Sequence, residues 1–304
     1  MLICTTPTEM HAACGELRAR TIAQPTLGLV PTMGALHAGH MSLVTAAREQ
    51  CDLVAASIFV NPTQFGPNED FTQYPRTFDS DRKQLEAAGV DILFAPSAET
   101  MYPSGNTTFV DPGPIGDRLD GASRPGHFRG VATIVARLFN IAQPDRAYFG
   151  QKDAAQVAVL RHVVRDLNLP VEIVACPIVR EPDGLAMSSR NRYLSPAERT
   201  RALVLSRALA AARDAANAKV PHPSTASSSM GGMRDALRSA MLDAFAEPDP
   251  SAAARDVPSR LDYAAVVDPD TLLPLTDTSR GALLAIAAFI GNTRLIDNVL
   301  LPPT

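Results

Sequence analysis

The stretch LVPTMGALHAGH, residues 29–40, runs from an apolar segment into two glycines and two histidines three positions apart. Just before it, TLGLVP (26–31) reads as a buried strand. Just after, HMSLVTAAREQ (40–50) sets Leu43, Val44 and Ala47 on one helical face. A strand that turns through glycines straight into a helix is the repeating unit of an α/β sheet, so the same pattern should recur on either side.

It does recur. DLVAASIFVNP (52–62) and VDILFAP (90–96) are further apolar runs closed by turn residues. Between them TFDSDRKQLEAAG opens on Asp and Ser and stops at Gly89. After a Gly/Pro-rich stretch, PSGNTTFVDPGPIGDRLDGASRPG, the alternation resumes. GVATIVARLFNIA is a helix, RAYFG a short strand, DAAQVAVLRHVVRDLN a long amphipathic helix and PVEIVACPIV (170–179) the next strand. Strands alternating with helices imply parallel strands and right-handed crossovers, and hence a Rossmann-like, doubly wound parallel sheet. There is no internal repeat.

Beyond about Met187 the pattern changes. SPAERTRALVLSRALAAARDAANA (195–218) reads as one Ala-rich helix with a Ser-Pro-x-Glu start. VPHPSTASSSMGG (220–232) reads as a mobile loop, a second helix covers Met233 to Ala246, and EPDPSAAARDVPS as another loop. RLDYAAVVD, ALLAIAAFI and TRLIDNVLL read as strands of a small separate sheet. The expected organisation is a catalytic domain over 1–183 and a smaller C-terminal α+β domain over 184–304 that closes over the active site.

Composition narrows the function. Lys and Arg total 28 against 32 Asp and Glu, a formal charge of -4, which excludes a general polyanion-binding surface and makes nucleic acid an unexpected partner. Cys4, Cys14, Cys51 and Cys176 form no CxxC pair and read as reduced, buried thiols. The N-terminus lacks the charged start and apolar core of a secretory signal, and the longest apolar run, ALLAIAAFIG (282–291), is too short for a bilayer. A cytoplasmic enzyme without a membrane partner is expected.

In an open parallel sheet, ligands sit beyond the carboxyl ends of the strands, where helix N-termini offer free N–H groups to phosphate. Four stretches fall there. In the first, Gly34 and Gly39 let a ligand approach the backbone. His37 and His40 can donate to phosphate oxygens, and a protonated imidazole would offset charge on a leaving pyrophosphate. The competing reading is a pair of ordinary loop and helix-cap histidines. A metal site is disfavoured, because no carboxylate or cysteine nearby completes a ligand set, and no metal-ligating residues are expected. The second stretch, FVNPTQFGPNEDFTQYPRT, supplies Asn61, Gln64 and Tyr74, neutral groups suited to a small polar substrate, or simply a Pro/Asn/Gly turn. In the third, YFGQKDAAQ, Lys152 can pair with phosphate. Asp153 can cap the helix or bind a ribose or a metal-associated water, and Gln156 lies one turn on. The fourth, GLAMSSRNRYL (184–194), brings two serine hydroxyls and the Arg190 guanidinium to a triphosphate.

Together, VPTMGALHAGH, SIFVNPTQFGPNEDFTQYPRT, GHFRGVATIVARLFNIAQPDRAYFGQKDAAQ, REPDGLAMSSRNRYL and GNTRLIDN resemble the pantothenate synthetases (pantoate–β-alanine ligases) over nearly the whole chain. That family lies in the nucleotidyltransferase-like superfamily, with the catalytic domains of class I aminoacyl-tRNA synthetases. HxGH is common to the superfamily, whereas its combination with FVNPTQF and MSSRN is specific to the family.

The resemblance implies ATP-dependent condensation of pantoate with β-alanine through a pantoyl adenylate, releasing pyrophosphate and AMP. It places Met33, Gly34, Ala35, Leu36, His37, Ala38, Gly39 and His40 along the ATP site, with His40 the proton donor and His37 a phosphate contact. Gly150, Gln151, Lys152, Asp153, Val179, Met187, Ser188, Ser189 and Arg190 complete that site, Lys152 and Arg190 facing the phosphates. Gln64 and Gln156 would hold pantoate, with Gln64 also on the β-alanine side. Met33, Asn61, Tyr74 and Arg124 match positions near the substrates. Mg²⁺ is implied with ATP, bound through phosphate oxygens and water, and the assembly implied is a homodimer. Two features depart from the family pattern: Gln151 stands where an acidic residue is frequent, and residues 220–260 are longer and more Ser/Pro-rich. A nucleotidylyltransferase would need extra cations for a phosphorylated acceptor where this chain has Gln64 and Gln156. A regulator without catalysis would not need both histidines with Lys152 and Arg190.

Overall fold

The computed structural model describes residues 1–20, 25–67, 69–218 and 230–303. The chain divides into two compact units, Met1–Gln151 with Ala155–Val179, and Lys152–Ala154 with Arg180–Thr304.

In the first unit the elements run β1 (Leu2–Cys4), α1 (Pro7–Ala19), β2 (Leu27–Thr32), α2 (Ala38–Gln50), β3 (Leu53–Ile58), α3 (Phe78–Ala87) and β4 (Ile92–Phe94). Two short helices follow, α4 (Ala98–Met101) and α5 (Asp120–Ser123), then α6 (His127–Ala142), β5 (Arg146–Gly150), α7 (Ala154–Asp166) and β6 (Glu172–Cys176). The six strands pair in parallel in the order β1-β4-β3-β2-β5-β6. Leu29, Val30, Ala55, Ala56, Leu93 and Ala147 are fully buried. A near-continuous apolar run is what a strand covered on both faces requires. From β2 the chain steps through β3 to β4 in one direction, then returns to place β5 and β6 on the other side of β2. The strand order therefore reverses between β2 and β5, which makes their carboxyl ends the place for a ligand.

The expected doubly wound sheet is thus present, with additions. β1 and α1 precede the first strand–helix unit recognisable in the sequence. The α1 signal lies in TPTE: Thr6 Oγ1 accepts the Glu9 N–H while the Glu9 carboxylate accepts the Thr6 N–H, with Pro7 opening the helix.

The second unit contains α8 (Pro196–Ala202), α9 (Val204–Ala218), α10 (Met230–Ala246) and α11 (Ala252–Arg255), then β7 (Ser259–Val267), β8 (Ala282–Ile290) and β9 (Thr293–Leu301) in one antiparallel sheet. Leu205, Leu209, Leu237 and Met241 from the helices meet Leu284, Ile286 and Ile290 from β8 in its core. The single Ala-rich helix expected over 195–218 is in fact two, broken at Leu203. Arg201, Ala202, Val204 and Leu205 are all buried. At the break the Leu203 N–H bonds back to the Thr200 carbonyl at 3.3 Å, a tightened last turn, and α9 starts at Val204. The expected loop after α10 contains α11, and α10 begins at Met230 rather than Met233. The expected mobile loop otherwise falls on residues 220–229, outside the described residues. No helix among the described residues is long and apolar enough to cross a membrane.

Arg201 is a buried cation, and burial lowers its pKa. Its guanidinium donates to Ser259 Oγ at 3.0 and 3.1 Å, to the Phe245 carbonyl at 3.2 Å and to the Glu247 carbonyl at 3.3 Å, tying α8 to β7 and the end of α10. Arg201→Met keeps the stem but orphans those acceptors, at about 1–3 kcal/mol. Chemical denaturation should show the unfolding midpoint falling accordingly; an unchanged midpoint would contradict this role.

Candidate active site

β2 ends at Thr32, and the chain reverses through Gly34 (φ +81°) and Ala35 (φ +51°) before α2 begins. A left-handed alanine is unfavourable unless its surroundings hold it. Here a buried carboxylate does so. The Ala35 N–H donates to Asp81 Oδ2 and the Leu36 N–H to Asp81 Oδ1, each at 2.9 Å. Asp81, on the first turn of α3, is 1% exposed, and Thr77 Oγ1 donates to both its oxygens at 3.1 and 3.0 Å. Gly34 is required twice over: for its positive φ, and because a Cβ there would stand 3.0 Å from Asp81 Oδ2 and 3.1 Å from Ile58. Its N–H donates to Thr32 Oγ1 (3.1 Å), whose hydroxyl donates to the Ser57 carbonyl at 2.6 Å.

The turn delivers His37 to the N-cap of α2, where Nδ1 accepts the Gly39 N–H at 3.1 Å. An accepting Nδ1 carries no proton, so the neutral ring bears its hydrogen on Nε2. The two readings of this residue are therefore compatible: one nitrogen caps the helix and the other is a donor. The His40 ring lies one turn on, 4.1 Å from that of His37 between centroids, tilted by 38°.

Beyond β3, a 3-10 turn at Pro62–Gln64 brings Met33, Asn61 and Gln64 together. Asn61 is 1% exposed, and its polar atoms are engaged within the fold. Oδ1 accepts from Thr63 Oγ1 (2.9 Å) and the Tyr102 hydroxyl (2.8 Å). Nδ2 donates to Gln64 Oε1 (3.0 Å) and to the Gly130 carbonyl (3.2 Å). Gln64 Nε2 points at Met33 Sδ, 3.2 Å away, a weak acceptor. Tyr74 is buried, edge-on to Phe65 at 6.1 Å. Arg124 donates through Nε and Nη2 to the two oxygens of Glu69, both at 2.7 Å, and reaches the Gln64 carbonyl at 3.3 Å. Burial raises the Glu69 carboxyl, but the Arg124 guanidinium outweighs it and the net pKa falls. His127 is buried between Arg124 Nη1 (3.0 Å to Nε2) and the Gln64 carbonyl (2.8 Å to Nδ1). Burial first, then the Arg124 charge, lower its pKa to about 4. The neutral ring accepts from Arg124 at Nε2 and donates to Gln64 from Nδ1. Gly150 closes β5, and Gln156 stands half-buried on the first turn of α7.

In the second unit, Lys152 sits in a 3-10 turn, Gln151–Asp153, its carbonyl accepting from Asn298 Nδ2 at 2.9 Å and its ammonium 3.5 Å from Asp153 Oδ1. Ser188 Oγ accepts the Arg190 N–H at 3.3 Å and starts the 3-10 turn Ser189–Tyr193. Lys152, Ser188, Asn191 and Asp297 line one small pocket. Arg180 binds the buried Asp297 in fork fashion, at 2.7 and 2.9 Å, and Asn191 Nδ2 bonds Glu181 Oε1 at 2.9 Å and the Ala186 carbonyl at 3.0 Å. The closing GNTRLIDN segment thus holds the Lys152 carbonyl through Asn298 and Arg180 through Asp297.

Against known proteins, residues 2–300 match the family described as Pantoate-beta-alanine ligase. The chain belongs to that family. It is 57% identical to the pantothenate synthetase of Acidobacterium capsulatum, covering 97% of this chain and 95% of that one, and 52% identical to that of Koribacter versatilis, covering 99% and 96%. Among solved structures, the pantothenate synthetase of Thermus thermophilus superposes with a TM-score of 0.85 at 47% identity over 100% of both chains. The Francisella tularensis ligase, solved with β-γ ATP and β-alanine, gives 0.69 at 32%, also over 100% of both. As a member of this family the chain is an ATP-dependent ligase that condenses pantoate with β-alanine to pantothenate through a pantoyl adenylate.

Three groups that hold the 33–40 and 61–64 turns carry no motif signal in the sequence: Glu69, Asp81 and His127. Asp81 carried only the signal of a helix-opening acid, and His127 lay inside the matched GHFRG stretch. For Asp81→Asn, one amide N–H of the turn loses its acceptor and faces a carboxamide NH₂. A destabilisation of about 1–3 kcal/mol is expected, with kcat falling about ten-fold or more as α2's first residues lose their aim. Thermal melting and steady-state turnover measure both, and a variant with wild-type kcat would show that Asp81 does not set the turn.

Proposed function

We propose that this ligase forms pantoyl adenylate against the 33–40 turn and then transfers the acyl group to β-alanine, both reactions using aligned substrates rather than a protein nucleophile. The observation that carries this reading is the Asp81-held turn at the strand-order reversal, which presents His37, His40 and the start of α2 beyond the carboxyl end of β2. A helix N-terminus with a neutral imidazole donor is a ready phosphate site.

In the first step a pantoate carboxylate oxygen attacks the α-phosphorus of ATP as the bond to the β-phosphate oxygen breaks. His37 Nε2–H contacts phosphate, and His40 donates a proton toward the departing charge. Lys152 and Arg190 balance the remaining phosphate charge, with Ser188 and Ser189 as hydroxyl partners. Met33 to Gly39, Gly150, Gln151, Asp153, Val179 and Met187 complete the nucleotide site. Gln64 and Gln156 orient pantoate. In the second step the β-alanine amine attacks the acyl carbon, AMP leaves with the carbon–oxygen bond's electron pair, and the amine loses its proton. Exclusion of water preserves the adenylate between the two steps.

ATP arrives as its Mg²⁺ complex, in which the metal neutralises triphosphate charge. Among the described residues no group of three His, Cys, Asp or Glu side chains gathers to hold a metal. The working form is a homodimer in the cytoplasm, the dimer resting on the family resemblance alone.

His40→Ala should lower pantoate-dependent pyrophosphate release by about 10²–10³-fold with an unchanged melting temperature. Wild-type release would remove His40 from its role, and a stable dinucleotide product in place of AMP would overturn ligation.

A further inference from the structure

Gln64 is the proposed contact to the substrate acid, yet it sits on a three-residue 3-10 turn, a short element with little rigidity of its own. Its geometry is imposed from outside. Its carbonyl receives His127 Nδ1 at 2.8 Å and Arg124 Nη2 at 3.3 Å. Arg124 is in turn locked by the two 2.7 Å bonds to Glu69, with both side chains at least three-quarters buried. The carboxamide is oriented by Asn61, itself fixed on the Gly130 carbonyl. Gly130 lets α6 touch the turn directly: a Cβ there would lie 2.3 Å from the Thr63 carbonyl oxygen and 2.7 Å from the Gln64 nitrogen. The chain thus spends one buried ion pair, one buried imidazole and one glycine on a single residue.

We propose that Glu69, Arg124, His127 and Gly130 are positioning residues that set Gln64, so that its carboxamide oxygen stays on Asn61 and its NH₂ is presented to a substrate oxygen. Because Met33 Sδ is a weak acceptor, a carboxylate or hydroxyl oxygen displaces it readily. A neutral His127 is necessary to this arrangement: only the Nδ1–H tautomer donates to Gln64 while accepting from Arg124. None of the four needs to touch substrate. Arg124 in particular acts through Glu69 and Gln64, although its position in the sequence matches one near the substrates.

This proposal rests on Gln64 contacting the acid substrate, and the experiment separates the two. Steady-state KM for pantoate and for ATP, and kcat, are measured for Gln64→Ala, Glu69→Gln, Gly130→Ala, His127→Leu and His127→Asn, each checked by thermal melting. Asn places its Nδ2 where the imidazole has Nδ1, so it restores the donor to Gln64. The expected pattern is a pantoate KM raised about ten-fold or more in Gln64→Ala, Glu69→Gln, Gly130→Ala and His127→Leu. ATP KM should stay within about two-fold, and His127→Asn should recover most of the loss. A loss of folded enzyme alone would lower kcat at unchanged KM, and that result overturns the positioning role. If Gln64→Ala raises the pantoate KM while Glu69→Gln and His127→Leu leave it unchanged, the proposal falls and the reading of Gln64 stands. If Gln64→Ala leaves it unchanged, both fall.

Discussion

The bond pair from the Ala35 and Leu36 amides to the Asp81 carboxylate is the constraint on which the site depends. Burying a carboxylate costs several kcal/mol even after relaxation. Each hydrogen bond to a charged acceptor returns about 1.5–3 kcal/mol, and Asp81 collects two from the backbone and one, shared between its oxygens, from the Thr77 hydroxyl. The terms nearly cancel, so the interaction specifies geometry more than it adds stability. What it specifies is a left-handed Gly34–Ala35 turn, and through it the direction in which α2 starts. His37 then caps that helix with one nitrogen and must carry its proton on the other.

The acid-binding side follows a different logic. Its charged residues are closed on one another, Glu69 on Arg124, and its imidazole is kept neutral by burial and by that guanidinium. The group they hold in place is the Gln64 carboxamide. A neutral donor orients a carboxylate without holding it in a strong ion pair, and the carboxylate must keep its nucleophilicity to attack phosphorus.

The sheet was legible because its central strands are largely apolar and alternate with helices of clear period, and RAYFG matches β5 residue for residue. β1 was not, since three residues at a sheet edge leave no periodic signal. The break at Leu203 was hidden because alanine-rich sequence favours helix on either side of it. For the site, the motif residues were visible but their division of labour was not. The bonds that Asn61 makes to Tyr102, Thr63 and Gly130 reach residues that no local pattern joins to it. Asp81 and His127 act on residues 46 and 63 positions away, and such distances carry no local signature.

The most direct test is a crystal structure of the enzyme with a non-hydrolysable ATP analogue and pantoate bound together. Phosphate oxygens should lie within about 3 Å of His37 Nε2 and the first amides of α2, and a pantoate oxygen on Gln64 Nε2 with Asn61 still on Gln64 Oε1. The Asp81 bonds to Ala35 and Leu36 should remain intact. A nucleotide bound away from this turn, or a turn that releases Asp81 when the nucleotide binds, would contradict the central role given to that carboxylate.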